Sequence, residues 1–348
     1  MSDRGGAHAP VIELTLARIR EFLREPEAVF WVFVFPILMA CALGVAFRSR
    51  GDQPIVVGIL NVPGHEVVER ALRQTGGFEP RLVESADVQT ALQRADVQLV
   101  IEPGPTPAYR LDPTRAESRA ARHAVDDALQ RAQGRKDVFS AKDVHVETIG
   151  SRYIDWLVPG LLGMNIMSTG LWGLGFSIVT ARTRKLLKRL VASPMRRRDY
   201  LLAQVLGRLV FLLLEVGALL GFSTLVFGVP IRGSLALVVG CCIVGALAFG
   251  GIGLLVASRA RTVEAVSGLL NLVMLPMWLL SGVFFSSSNF PEAMQPFIRV
   301  LPLTALNESL RAVMLEGAGM AVITSQLGLL IGWGLLSFAI ALRIFRWR

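Results

Sequence analysis

The chain has 348 residues, 53% of them apolar, and a mean hydropathy of +0.52. Soluble chains hold about 45–50% apolar residues even with glycine counted, so the composition excludes an ordinary soluble domain and reads as a membrane protein. The net charge of +9 and pI near 10.3 admit nucleic acid by charge alone. The basic residues, however, gather at the ends of apolar runs without interleaved aromatics, so nucleic acid is not among the expected partners.

Residues 1–27 read as a cytoplasmic tail and an interfacial helix. The first ten are small, polar and Gly/Pro-containing, the composition of a disordered end. From Val11 to Glu25, Ile12, Leu16, Ile19, Phe22 and Leu23 recur at helical spacing among Arg18, Arg20 and Arg24, the pattern of a helix lying in an interface. Pro26 breaks it. The first span is placed at 28–48, where the uncharged run Val29–Phe47 is long enough, at about 1.5 Å per residue, to cross hydrocarbon. Leu38-Met39-Ala40-Cys41 has the look of a lipoprotein cleavage box, and Ala40-x-Ala42 that of a signal-peptidase site. The preceding region is too long for an n-region and carries Glu13, Glu21, Glu25 and Glu27, and the apolar run continues past the site, so the segment is read as a retained span.

Residues 49–152 turn polar and alternate in period. PIVVGILN reads as a buried strand, VVERALRQ as a helix, FEPRLVES as a strand, VQTALQRA as a helix, and VQLVIEP and AYRLDP as strands before a long polar helix from Thr114 to Gly134. The result is an α/β domain of about 100 residues, enough for its own core. It is expected outside the cytoplasm, its arginines notwithstanding, because long loops cross regardless of charge.

The remainder, 153–348, holds five further spans. The second runs Trp156 to Ala181, with Pro159 and Gly160 near its start and Asn165 inside. The third, Leu201 to Val229, contains Glu215 and the Gly217-x-x-x-Gly221 spacing that lets helices approach closely. The fourth, Gly233 to Ser258, is rich in Gly and Ala and uncharged. The fifth starts near Ala265, holds Asn271 and Pro276, and runs on into LLSGVFFSSSN. A mixed segment, Phe290 to Met320, carries Pro291, Pro296, Pro302, Glu308 and Glu316 and is too interrupted to span. The sixth span is Val322 to Leu342, with Gly328-x-x-x-Gly332.

Between the second and third spans stands the most basic stretch of the chain. Arg182, Arg184, Lys185, Lys188, Arg189, Arg196, Arg197 and Arg198 face a single acid, Asp199. Leu186, Leu187, Leu190 and Val191 share one helical face, so 182–192 reads as a short amphipathic helix stopped by Pro194, lying along a membrane or in a partner's groove. Six spans put both termini inside. The charge count agrees, with eight, two and three basic residues on the cytoplasmic pieces against Arg232, Arg299 and Arg311 on the short outer ones.

No G-x-x-x-x-G-K-[ST] stretch exists, so any ATP chemistry falls to a separate subunit. His8, His65, His123 and His145 all lie outside the spans, which removes HExxH zinc sites and intramembrane Ser-His dyads. Cys41, Cys241 and Cys242 sit in apolar runs and form no legible disulfide framework. No metal or cofactor is expected on this chain. Glu215 is the one acid deep in a span: either a pathway or proton-linked group, or a structural partner of Arg208 two turns back. Asn165 and Asn271 read as interhelical hydrogen-bonding groups or as substrate contacts. The basic block is an anionic-lipid anchor, or a coupling helix whose leucines seat in an ATPase groove.

The order of one span, an outer α/β domain, the loop RKLLKRLVASPMRRRDYLLAQVLGR and the late LSGVFFSSSNFPEAMQPFIRVLPLTALNESLRAVMLEG resembles permease subunits of the type-2 ABC exporters, in the subgroup with a large domain after the first span. The similarity covers nearly the whole chain; its most specific pieces are L-x-x-S-P at Leu190 to Pro194 and the run from Leu280 to Arg311. Two positions depart from it: Ala181 to Lys185 is basic where many members carry acids, and Ser286 stands where many have proline.

The resemblance implies an α-helical membrane protein of six transmembrane helices that works as a half-transporter in a bacterial cytoplasmic (inner) membrane. Two copies, or one copy and a related permease, would dock on two ATPase subunits that hold ATP and Mg. By similarity, Val11 to Glu25 is the connecting helix. The coupling helix would present Arg184, Lys185, Leu187, Leu190, Pro194 and Arg196 to the ATPase. Residues 289–320 would be re-entrant helices capping the exit, with Phe284, Phe285 and Pro302 at the gate. A pathway along the second and fifth spans, with Asn165, Glu215 and Asn271 among Met, Phe, Leu and Trp, suggests export of a hydrophobic or amphiphilic substrate (drug, lipid or lipid-like metabolite) by alternating access. Glycan or sodium export stays open, as does a membrane scaffold or sensor whose outer domain binds a ligand.

Overall fold

The computed structural model describes residues 16, 19–20, 22–47, 54–136, 139, 150, 152–183, 197–260 and 262–344. It divides into two units, Met1–Ser49 with Glu147–Arg348, and Arg50–Val146. Most of the helix expected over Val11 to Glu25, and the 182–192 helix from residue 184 onward, lie outside the described residues.

Helix α1 spans Pro26–Ala46. Pro26 occupies its first turn, where a missing N–H costs nothing. The turn Phe30–Val34 widens to π geometry just before Pro36.

The second unit is the α/β fold expected from the alternating period. Its elements are β1 (Ile55–Leu60), α2 (His65–Thr75), β2 (Phe78–Val83), α3 (Val88–Gln93), β3 (Leu99–Glu102), β4 (Ala108–Arg110) and α4 (Ala116–Ala132). The sheet order is β2-β1-β3-β4; β1 pairs in parallel with β2 and β3, and β4 closes one edge antiparallel to β3. Alternation along β1 sends Val57 and Ile59 into a core with Leu72, Leu99, Ile101 and Val125. Leu60 goes to the other face, with Val83, Val88, Val97 and Val100. Both faces are thus covered by helices, as parallel strands require.

In the first unit the chain continues through α5 (Tyr153–Thr183), α6 (Arg197–Phe227), α7 (Leu235–Arg259) and α8 (Val263–Leu280). Thr262 caps α8 by accepting from the Ala265 amide at 3.2 Å. Short 3-10 turns, α9 (Gln295–Val300), α10 (Pro302–Glu316) and α11 (Met320–Ile344) complete it. Six of its helices, α1, α5, α6, α7, α8 and α11, are long and apolar enough to cross a membrane. This is a multi-pass membrane protein.

One expectation is corrected. The fifth span does not run on into the Phe-Phe stretch: it ends at Leu280, because Gly282 takes a left-handed φ of 69° and turns the chain. The segment Phe290 to Met320, expected to be too interrupted to span, contains α10, a 15-residue helix with 11 residues buried, including Leu303, Leu306, Leu310 and Met314. Pro302 starts this helix instead of breaking it, and Gly317 at φ 69° ends it.

The glycine spacings divide in the same way. Gly217, Gly221, Gly328 and Gly332 face open space, so the two GxxxG pairs pack against no helix among the described residues. The close approaches are made by α7. A Cβ at Gly253 would stand 2.7 Å from the Leu171 carbonyl oxygen, one at Gly251 3.0 Å from that of Gly334, and one at Gly250 2.7 Å from Leu174 Cδ1. Backbones of α5, α7 and α11 therefore touch where side chains would otherwise hold them apart. We expect Gly253→Ala to cost about 1–3 kcal/mol through overpacking, while Gly217→Ala is neutral or gains up to about 1 kcal/mol of helix propensity. Thermal unfolding of the purified protein in detergent checks this, and equal midpoints for the two variants would refute the packing assignment.

Candidate functional site

Two polar clusters interrupt the apolar interior of the helical unit. The first begins at a missing donor. Pro36 has no N–H, so the Val32 carbonyl one turn earlier loses its normal partner; Asn165 on α5, 4% exposed, donates Nδ2 to it at 3.0 Å. One turn along α5, Thr169 donates Oγ1 to the Asn165 carbonyl at 2.8 Å and lies 3.2 Å from Glu215 Oε2. Arg208 Nη1 donates to Glu215 Oε1 at 3.2 Å, and Nη2 donates to Thr169 Oγ1. The seam thus joins α1, α5 and α6. The Glu215 side chain is 1% exposed and that of Arg208 19%, so the guanidinium end is the more accessible.

At the start of α5, Asp155 is wholly buried and takes a bidentate grip from Arg152, with Nη2 to Oδ1 at 2.7 Å and Nε to Oδ2 at 3.0 Å. The same guanidinium donates to the carbonyls of Phe227 and Gly228, which lack helical donors at the end of α6. One ion pair therefore closes two helix ends.

The second cluster surrounds α10. Arg311, counted above with the outer loop charges, is 7% exposed and makes no ion pair among the described residues. Its guanidinium carbon lies 3.5 Å over the Trp156 ring, Nε and Nη2 reach the Trp156 carbonyl at 3.4 Å, and Nη2 donates to the Gly282 carbonyl. A stacked, carbonyl-satisfied guanidinium replaces the usual carboxylate partner. One turn back, Asn307 donates Nδ2 to the Ser281 carbonyl at 2.9 Å. Glycines on α5 make room: a Cβ on Gly163 would overlap Asn307 Oδ1, and one on Gly160 would stand 2.6 Å from the Val283 carbonyl oxygen.

The structure therefore brings Asn165 and Glu215 into one seam and leaves Asn271 out of it. Asn271 is exposed on α8, beside Leu272, Leu275 and Leu279. Phe284 is half-buried and its carbonyl accepts from the Tyr153 hydroxyl at 2.9 Å. Phe285 is exposed, with its ring centroid 5.8 Å from that of Phe290, and Pro302 is buried at the start of α10. Arg184, Lys185, Leu187, Leu190, Pro194 and Arg196 lie outside the described residues. Thr169, Asp155, Asn307 and Arg311 were missed by sequence reasoning. The last two are spaced i, i+4 within an apolar stretch, the one signal that pointed to a shared helical face.

Residues 27–343 match the family described as ABC-2 family transporter protein. Over 172 residues the chain is 31% identical to ABC transporter G family member 20 of Dictyostelium discoideum, covering 49% of this chain and 23% of that relative. Over 173 residues it is 27% identical to the inner membrane transport permease YhhJ of Escherichia coli strain K12, covering 49% of this chain and 46% of the relative. Over 174 residues it is 26% identical to the linearmycin resistance permease protein LnrN of Bacillus subtilis strain 168, covering 50% and 45%. The chain thus spans less than half the length of these relatives.

Two variants test the clusters. Glu215→Ala leaves the Arg208 guanidinium uncompensated and is expected to cost about 3–5 kcal/mol, most of it recovered in Arg208→Met/Glu215→Leu. A double variant no more stable than Glu215→Ala would contradict the pairing. Arg311→Lys keeps the charge but loses the stacked plane and its fork of donors. Its unfolding midpoint should fall well below that of the wild type, whereas Arg299→Lys, on the exposed side of α9, should leave the midpoint unchanged.

Proposed function

The chain belongs to the ABC-2 transporter family, and from that membership we propose that it is the permease half of an ATP-driven exporter for a hydrophobic or amphiphilic substrate. The observation that carries this reading is the family match over residues 27–343 together with six apolar helices in one unit. ATP hydrolysis is assigned to a separate subunit, since the sequence has no P-loop. Two relatives are named as permeases, one of them a linearmycin resistance permease, which favours a drug-like or lipid-like cargo.

In this reading the chain sits in a bacterial inner membrane with both termini cytoplasmic, and the α/β unit is extracytoplasmic. The basic 182–192 segment docks on the ATPase through Leu187 and Leu190, with Arg184, Lys185 and Arg196 meeting acidic groups or lipid. A second permease stands against α8, where the exposed Asn271 has no side-chain hydrogen bond among the described residues. The α9–α10 segment caps the exit, with Phe284, Phe285 and Pro302 at the gate. Glu215 and Asn165 lie along the route, and the stability-recovered Arg208/Glu215 double variant separates a transport role from a structural one.

The test is co-expression with ATPase subunits from the same genome, followed by ATPase assay of the purified complex. Activity should depend on the permease and fall to the level of the free ATPase when Leu187 and Leu190 are both replaced by Asp. A wild-type chain that forms no complex with any ATPase would sink the proposal.

A further inference from the structure

The α/β unit holds a cleft of about 530 Å³ between the edge strand β4 and α4, lined by Tyr109, Leu111, Pro113, Arg119, Arg122 and His123. Cavities of about 300–1,000 Å³ are the usual size for small-molecule sites. Arg119, Arg122, His123 and Asp126 recur at i, i+3, i+4 and i+7, so they share one face of α4. That face flanks the stripe of Ala121, Val125 and Ala128 by which the helix is anchored to the sheet.

The charge around this cleft is unbalanced. Elsewhere in the unit Arg73 pairs with Glu69, Arg81 with Glu79, Arg110 with Glu102 and Arg115 with Asp112, while Arg70 and Arg94 make no ion pair among the described residues. Arg119 and Arg122 make no ion pair among the described residues. The acids beside them are already engaged. Asp126 accepts from the Tyr109 hydroxyl at 3.0 Å and from Gln130 Nε2 at 2.9 Å, and Asp112 accepts from the amide and hydroxyl of Thr114 at 2.9 and 2.6 Å. Burial, then Asp126, pushes the Tyr109 hydroxyl up to about 12. The ring therefore stays neutral and offers an apolar floor that does not repel an anion.

Two exposed guanidinium forks over a floor of Tyr109, Leu111 and Pro113 describe one ligand chemistry. We propose that this cleft binds a small amphiphilic anion, a carboxylate or phosphate ester on a ring-sized apolar body, with Arg119 and Arg122 taking the anion and His123 adding a hydrogen bond. Planar forks match carboxylate and phosphate bidentately, which supplies the specificity. The assignment stands apart from the transport reading and holds on whichever side of a membrane the unit lies.

The test uses the full chain in phosphatidylcholine nanodiscs, titrated calorimetrically with 2-naphthoate and with its neutral counterpart 2-naphthamide. Saturable binding of the naphthoate at one site per chain is expected, with no binding of the amide. Arg119→Gln/Arg122→Gln should weaken it by about tenfold or more, the scale of one lost charge-assisted contact. Arg81→Gln, which breaks an exposed pair outside the cleft, should bind as the wild type does. Arg119→Lys/Arg122→Lys should fall between, separating lost anion recognition from a lost fold. Repeating the titration in phosphatidylglycerol discs identifies the source: binding abolished there points to a lipid headgroup as the anion, and binding retained points to a free organic acid. Equal binding of naphthoate and naphthamide, undiminished affinity in the Gln variant, or no naphthoate binding in phosphatidylcholine would overturn the proposal.

Discussion

The hydrogen bond from Asn165 to the Val32 carbonyl exists because Pro36 has no N–H to give. In water the freed carbonyl would be hydrated. In hydrocarbon it has no alternative partner and would cost several kcal/mol, by the usual magnitude for an unsatisfied group. The same requirement recurs wherever this bundle departs from regular helix. Arg152 serves the final carbonyls of α6, Arg311 serves the carbonyls of Trp156 and Gly282, and Asn307 serves that of Ser281. Asn165, Arg152 and Asn307 thus answer backbone groups that a proline, a helix end or the turn after α8 has released.

Those side chains reach their targets only because the helices carrying them stand unusually close. Gly250, Gly251 and Gly253 on α7 let its backbone touch α5 and α11, and Gly160 and Gly163 on α5 let α10 and the Ser281–Gly282 turn lie against it. Removing Cβ atoms shortens the interaxial distance. It also leaves carbonyls of facing helices within reach of a neighbour's donors, which is why small residues and polar side chains occur together along α5. Gly217 and Gly221 of α6 face no helix among the described residues, so the same sequence spacing has a different consequence there.

Much of the fold was legible from period and composition alone. Six apolar helices were expected and six are found, the fifth ending earlier than expected, and every strand of the α/β unit was found, because both signals are local: a long uncharged run, and a switch between period 2 and period 3.6. What escaped was nonlocal. GxxxG marks a face that can pack closely but does not say which helix will cover it. Arg311 was read as an outer-loop charge because Pro291, Pro296 and Pro302 before it suggested irregular chain, whereas Pro302 begins a helix as readily as it breaks one. Asp155 fell just outside the expected span, its burial set by Arg152 beside it and by the end of α6, some seventy residues later. In the site, Glu215 and Asn165 could be named from polarity in an apolar run. Their junction through Thr169 could not, since a threonine in a transmembrane segment carries no distinguishing signal.

Two arginines at the start of α5, the exposed Arg152 and the buried Arg311, illustrate how partner chemistry sets the character of a contact. Asp155 fixes the Arg152 guanidinium in a two-point geometry, and sliding α5 against α6 would break the bonds from that guanidinium to the Phe227 and Gly228 carbonyls. Arg311 makes no ion pair among the described residues. It lies on the Trp156 ring and shares its donors among carbonyls of α5 and of the turn after α8. Stacking tolerates lateral shift, and a guanidinium with five donors exchanges one carbonyl for the next at small cost. Gly282 supplies a left-handed turn beside this guanidinium, so the contact between α10 and α5 rests on stacking and carbonyl bonds where the α5–α6 junction rests on an ion pair. A bundle that must hold its helix ends while letting one buried helix adjust against its neighbours needs both kinds of arginine, placed as they are here.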